Sequence, residues 1–239
     1  RMLAALLLLA PQALWAASES SWPMDSFKAD LHNQPSLQSG ANTYINYCVG
    51  CHSLKFQRYS RTAEDLGIPE DVATELLIHT GQKIGGHIES AMPAEKAKAW
   101  FGGPPPDLTM VARTRGGEWL YNYLRAFYLD DQRPLGVNNK VFANVGMPHV
   151  MLELQGIVRD GCAAGDDDCS ELVLEEGSGT QSPEEFDQTI YDLVNFLTYV
   201  GEPYALERQR IGVFVLLFLV ILFGFAYLLN REYWKDVKH

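Results

Sequence analysis

The sequence predicts a mainly α fold: an exported helical domain with long ordered loops, followed by one C-terminal transmembrane helix. Three observations predict it. Apolar residues recur at helical spacing behind helix-start signals in several segments. Alternating strand patterns are sparse. Ile211 to Leu229 runs without a single charged residue, and at 1.5 Å per residue a helix of that length reaches about 28 Å, close to the hydrocarbon thickness of a bilayer.

In chain order, the first segment, Met2 to Ala10, is nearly unbroken Leu and Ala, and passes through Leu14-Trp15-Ala16-Ala17 into polar Ser18-Glu19-Ser20. This is the anatomy of a secretory signal peptide over residues 1–17, with a short uncleaved amphipathic anchor as the alternative. From Pro35 onward, Leu37, Ala41, Tyr44, Ile45 and Cys48 share one helical face, with Ser36 as N-cap. Ile68-Pro69-Glu70-Asp71 opens a short helix carrying Val72, Leu76 and Leu77. Phe101 to Asp107, with three consecutive prolines, reads as a rigid extended loop. Glu118 to Tyr128 is an aromatic helix with Leu120, Leu124 and Phe127 on one side, and residues 129–181 look mostly irregular. Ser182-Pro183-Glu184-Glu185 is a capping box with proline at the first helical position; Phe186, Ile190, Leu193, Val194 and Leu197 then form a stripe that Gly201-Glu202-Pro203 stops. The exported domain is thus 18–206, the anchor 207–231 and the tail 232–239. Arg208 and Arg210 precede the apolar run, and Tyr227, Tyr233 and Trp234 mark its far interface. The export signal puts the large domain outside and the short basic tail inside.

The pentapeptide Cys48-Val49-Gly50-Cys51-His52 carries the chemistry. Two thiols three residues apart with a histidine directly after the second is the spacing that attaches a c-type haem: each sulfur bonds a vinyl edge and the imidazole becomes the proximal iron ligand. A redox C-x-x-C would want thiols poised for exchange, and a zinc site a second pair at comparable spacing. The remaining cysteines, Cys162 and Cys169, have no histidine beside them. A haem also explains how a loop-rich chain builds a core, since the flat apolar cofactor replaces missing side-chain contacts.

Electron transfer needs a second axial ligand; catalysis or gas binding needs an open face. Candidates are His79, His87, His149, Met92, Met110, Met147 and Met151. Met110 and Met151 lie in apolar runs and read as core. Met92-Pro93 and Met147-Pro148 are loop methionines, and Gly146 lets the backbone near Met147 approach the ring closely, which ranks Met147 first, Met92 second and His149 third.

The ordered set of Cys48-Val49-Gly50-Cys51-His52-Ser53, Pro105-Pro106-Asp107-Leu108 followed by Arg113 and Arg115, Gly146-Met147-Pro148, and one membrane helix ending in Tyr233-Trp234 resembles the cytochrome c1 family. The resemblance runs from about residue 25 to the end and implies a cytochrome c-like haem domain holding one covalent haem c. It implies Met147 as the sixth iron ligand and Arg115 as the partner of a haem propionate, with Arg113 the other possibility. It further implies an electron-transfer subunit, not catalytic alone, of a quinol–cytochrome c oxidoreductase. Its partners would be cytochrome b and Rieske iron–sulfur subunits and a cytochrome c acceptor, with the haem domain in the periplasm of a bacterial inner membrane. A tethered cytochrome c feeding a terminal oxidase is the alternative; a haem enzyme with an open distal face is a third. Cys162 and Cys169 fit the exported compartment as a disulfide closing a small acidic loop. The chain's net charge of −11 is unsuited to nucleic acid and suited to steering a basic partner, unless its acidic runs are only solvated loops.

Overall fold

The computed structural model describes residues 22–162 and 170–236; the predicted signal segment 1–17 and Cys169 lie outside the described residues. The first half comprises α1 (Gln34–Tyr47), β1 (Leu54–Arg58), α2 (Tyr59–Asp65), α3 (Glu70–Leu76), β2 (His87–Ile88) and α4 (Ala94–Phe101). The second half comprises α5 (Val111–Thr114), α6 (Gly117–Arg125), β3 (Phe127–Leu129), β4 (Val137–Asn139), α7 (Leu152–Gln155), β5 (Val158–Asp160), β6 (Leu172–Leu174), α8 (Pro183–Gly201) and α9 (Ala205–Tyr233). Helices dominate, as expected.

The main core is the crossing of α1 on α8. Leu37, Ala41, Tyr44 and Ile45 meet Ile190, Leu193, Val194 and Leu197, all buried. The crossing is close because position 40 is glycine: a Cβ there would run into the Asp192 carbonyl and the Phe196 side chain. The contact carries polar pins as well. The Ser36 hydroxyl donates to Asp192 at 2.6 Å, and Asn195 Nδ2 donates to Ser36 Oγ at 3.1 Å. Two asparagines lash the N-terminal segment to this frame: Asn122 bonds both backbone groups of Asp25 (2.9 and 2.8 Å), and Asn195 both of Asp30 (3.0 and 2.9 Å).

A second, smaller core gathers Tyr123, Ala126, Phe127, Val137, Val141 and Val145, with Met147 packed against it; Trp119 and Leu124 touch both cores.

Several expectations need correction. The α1 N-cap is Asn33, whose side chain accepts from Ser36 N, so Ser36 lies inside the helix. The cap falls on Asn33 because its side-chain oxygen reaches the Ser36 N–H, and Pro35, which has no N–H to be satisfied, suits the first turn. The aromatic helix ends at Arg125, and Phe127 belongs to a strand. Residues 129–181 are not merely irregular: β3 through β6 form a four-stranded sheet in the order β4-β3-β5-β6, antiparallel except for the β3–β5 pair. Its strands are three residues each, too short to show alternation, so pairing partners far along the chain define them. Met110 is 39% exposed rather than core, whereas Met151 is buried as expected.

The Ser182 capping box forms in both directions, and α8 stops at Gly201. Among the described residues one helix, α9, is long and apolar enough to cross a membrane, with mean hydropathy 2.9 in its most apolar stretch and none of that stretch buried. At the junction, Arg208 pairs with Glu202 at 2.6 Å, and the Arg61 guanidinium lies 4.3 Å over the Tyr204 ring.

Candidate haem site

The Cys48–His52 motif is shaped by the end of α1. Cys48 caps the helix, its N–H donating to the Tyr44 carbonyl at 2.9 Å; Cys51 N and His52 N then both return to the Cys48 carbonyl at 3.0 and 2.8 Å. This tight turn folds the second cysteine and the histidine back over the helix terminus. The fully buried Tyr44 locks it from below, its hydroxyl donating to the His52 carbonyl at 2.6 Å.

Cys48 is buried, Cys51 is partly exposed, and neither is in a disulfide. Burial pushes the Cys48 thiol up to about 12, the neighbouring Cys51 adding to it, and burial also raises Cys51. Both shifts run opposite to the lowered values that exchange-active thiols show. Among the described residues no group of three or more His, Cys, Asp or Glu side chains converges to hold a metal ion.

His52 faces the proline loop. Its Nδ1 donates to the Pro106 carbonyl at 2.7 Å, since a carbonyl can only accept. That bond leaves Nε2 open, the kind of arrangement that orients metal-binding imidazoles. Burial lowers the His52 pKa, opposed by the Pro106 carbonyl and Asp107, so the ring favours the neutral form a ligand needs. The proline loop is in turn bolted to the segment after the motif. Asp107 accepts from Lys55 N at 2.8 Å and from Thr109 N at 3.0 Å, and Leu108 N donates to the Ser53 carbonyl at 2.9 Å. The sequence marks this segment as a rigid extended loop and as part of the resemblance, but carries no sign that Pro106 meets His52, a contact closed across fifty-four residues.

The methionines separate. Met92 sits in a loop tied to the motif itself: Ser90 Oγ donates to the Gly50 carbonyl at 2.7 Å and accepts from Met92 N at 3.1 Å. Met147 is half-buried against the second core, and its sulfur accepts from the Tyr123 hydroxyl at 3.4 Å. Burial pushes the Tyr123 phenol above its ordinary value. His149 lies face to face with Phe127 at 4.9 Å; burial, opposed in part by Gln155, brings its pKa down to about 4, and its Nε2 is buried with no hydrogen-bond partner among the described residues.

The two arginines also diverge. The Arg113 stem packs beside Gly201 at the end of α8. The Arg115 guanidinium lies 5.1 Å over Trp119 and 5.8 Å from the Phe142 ring centre, and Trp119 stacks on Tyr123 at 4.8 Å. Arg115 therefore belongs to the aromatic column that ends at Met147. Cys162 is oxidised in a disulfide, and its expected partner Cys169 lies outside the described residues.

The donor set fits a covalent haem. It offers two unbridged cysteines at the attachment spacing and a neutral histidine with one nitrogen committed to a carbonyl. A thioether sits in a separate apolar cluster, and beside that cluster lies a cation, Arg115, with no carboxylate partner among the described residues.

Comparison with known proteins agrees. The chain is 50% identical over 240 residues to cytochrome c1 of Allochromatium vinosum, covering 99% of this chain and 98% of that one. It is 42% identical to a protein named ammonia monooxygenase gamma subunit from Nitrosomonas europaea, over 97% of this chain and 95% of the relative. It is 24% identical to the mitochondrial cytochrome c1 haem protein of Neurospora crassa, over 93% of this chain and 68% of the relative. Residues 22–237 match the Cytochrome C1 family, and with a relative half identical over nearly its whole length, the chain belongs to that family.

Proposed function

We propose that this chain is a membrane-anchored electron carrier that takes single electrons from a Rieske-type iron–sulfur partner and passes them to a cytochrome c, within a quinol-oxidising complex that also contains cytochrome b. One observation carries the reading: the attachment motif belongs to the main core through Cys48 and Val49, Met147 packs against the second, and Trp119 and Leu124 touch both, a placement suited to two ligands flanking one flat cofactor. A haem c joined to Cys48 and Cys51 supplies the one-electron ferric/ferrous couple, and two protein ligands leave it no vacant position for substrate.

The chain's own residues hold and tune that group. Pro106 fixes the tautomer of His52, Met147 provides the sixth ligand, and Met92 stays with the attachment loop. Arg115, with no carboxylate partner among the described residues, meets a haem propionate. Arg113, engaged at the end of α8, does not. The α9 helix anchors the domain, with 18–206 in the periplasm and the tail 232–239 in the cytoplasm of a bacterial inner membrane. Residues 1–17 act as the export signal. Cys162 pairs with Cys169; free-thiol labelling of the unreduced chain should leave both unmodified, and labelling of both removes the bridge.

The acidic surface steers a basic acceptor, so the transfer rate should fall as salt rises; a salt-independent rate removes the steering role alone. The main test is the reduced absorption spectrum of the complex purified through this chain. A c-type band together with b-type bands and a co-purifying Rieske protein supports the reading. A c-type band alone favours a tethered cytochrome feeding a terminal oxidase. Ready carbon monoxide binding by the reduced protein would mean an open face and overturn the two-ligand assignment.

A further inference from the structure

The proposed electron relay does not require any particular neighbour for the Met147 sulfur, yet the structure supplies one. The Tyr123 hydroxyl stands 3.4 Å from Met147 Sδ, with the O–H donating. Tyr123 is 9% exposed and is held on every side. Its ring stacks on Trp119 at 4.8 Å with 9° between planes and meets Phe127 edge-on at 5.3 Å. Its carbonyl accepts from the buried Asn139 side chain at 2.7 Å. Trp119 and Tyr123 are four residues apart on α6, one turn above the other, so the helix itself sets the stack. A surface-facing tyrosine touching a sulfur by chance would not be braced in this way.

We propose that Tyr123 is a positioning residue for the Met147 thioether and that its hydrogen bond raises the reduction potential of the haem this site takes; the inference rests on Met147 being the sixth ligand. A thioether sulfur has two lone pairs. The phenol occupies one and leaves the other for iron, and it restrains a side chain that otherwise has three freely rotating bonds. A donor on the sulfur also draws electron density away from it. A poorer sulfur donor stabilises the ferric state less than the ferrous, and the potential rises; hydrogen bonding to an axial ligand is one of the levers a protein has on a haem.

The test uses the full chain with haem attached, in detergent or nanodiscs. In Tyr123→Phe the ring and its stacking survive while the donor is lost. The expected result is an unchanged melting temperature, retention of the thioether-to-ferric-iron charge-transfer absorption at a shifted wavelength, and a lower midpoint potential in a redox titration. Site-specific 3-fluorotyrosine at position 123, a more acidic phenol, should move the potential the opposite way. This second arm keeps the proposal testable if the phenylalanine variant folds poorly. A merely structural tyrosine would leave the potential where it was in both variants, and that result overturns the proposal. If the unsubstituted protein itself lacks the thioether absorption, the assignment of Met147 has failed, and this inference falls with it.

Discussion

His52 Nδ1 donates to the carbonyl of Pro106 at 2.7 Å, across fifty-four residues of chain. Everything around that bond serves to hold the acceptor still. Pro106 has no N–H and a restricted φ, and Asp107, the next residue, clasps the backbone of Lys55 and Thr109. The orientation of the proposed proximal ligand is therefore decided by a loop that never touches the attachment cysteines in sequence.

Asp107→Ala should test that dependence. It leaves two backbone N–H groups without their acceptor, at a cost of about 1–3 kcal/mol for each that stays buried. The expected outcome is a lower melting temperature together with a change in the histidine-dependent features of the haem spectrum. An unchanged spectrum with lowered stability would show that the loop braces the fold without orienting His52.

Covalent attachment is the simplest assignment to check. After denaturation and extraction with acidic organic solvent, the unsubstituted chain should keep its pigment. Cys48→Ala combined with Cys51→Ala should lose it, and each single variant should retain haem through one thioether, with a red-shifted reduced band. Pigment that washes out of the unsubstituted chain would disprove the attachment.

Gly40→Ala addresses the α1–α8 crossing. Alanine is favoured over glycine within a helix by about 1 kcal/mol, so a loosely packed site would be stabilised. Here a Cβ would meet the Asp192 backbone and Phe196, and neither can yield without separating the helices. We expect net destabilisation of about 2 kcal/mol, read as a fall in melting temperature of roughly 4–8 °C for a chain of this size. A rise would mean that the helices part easily.

Asn195→Ala removes the clamp on the N-terminal segment. Asn195 is fully buried and serves Asp30 N, Asp30 O and Ser36 Oγ at once. Its loss should cost about 2–3 kcal/mol, and hydrogen exchange at the Asp30 amide should quicken by far more than at the amides of α9. Uniform exchange changes would place the effect in global stability instead.

By itself the sequence determined the attachment motif, the two long domain-defining helices α1 and α8, the capping box at Ser182 and the apolar C-terminal helix. These are local features, in which a thiol spacing, a 3.6-residue apolar stripe or a cap three residues from its partner is written within one or two turns of chain. Met147 was legible as a loop methionine after glycine, though only among rivals. The tertiary structure decided what depends on partners distant in the chain. It made a sheet of residues 127–174 from strands too short to show a period, and moved the α1 cap to Asn33. It turned the Pro106 carbonyl toward His52, separated Arg115 from Arg113, and set Tyr123 against Met147. A hydrogen bond or strand pair closed over dozens of residues leaves no periodic trace along the backbone, so only the packed chain reveals it.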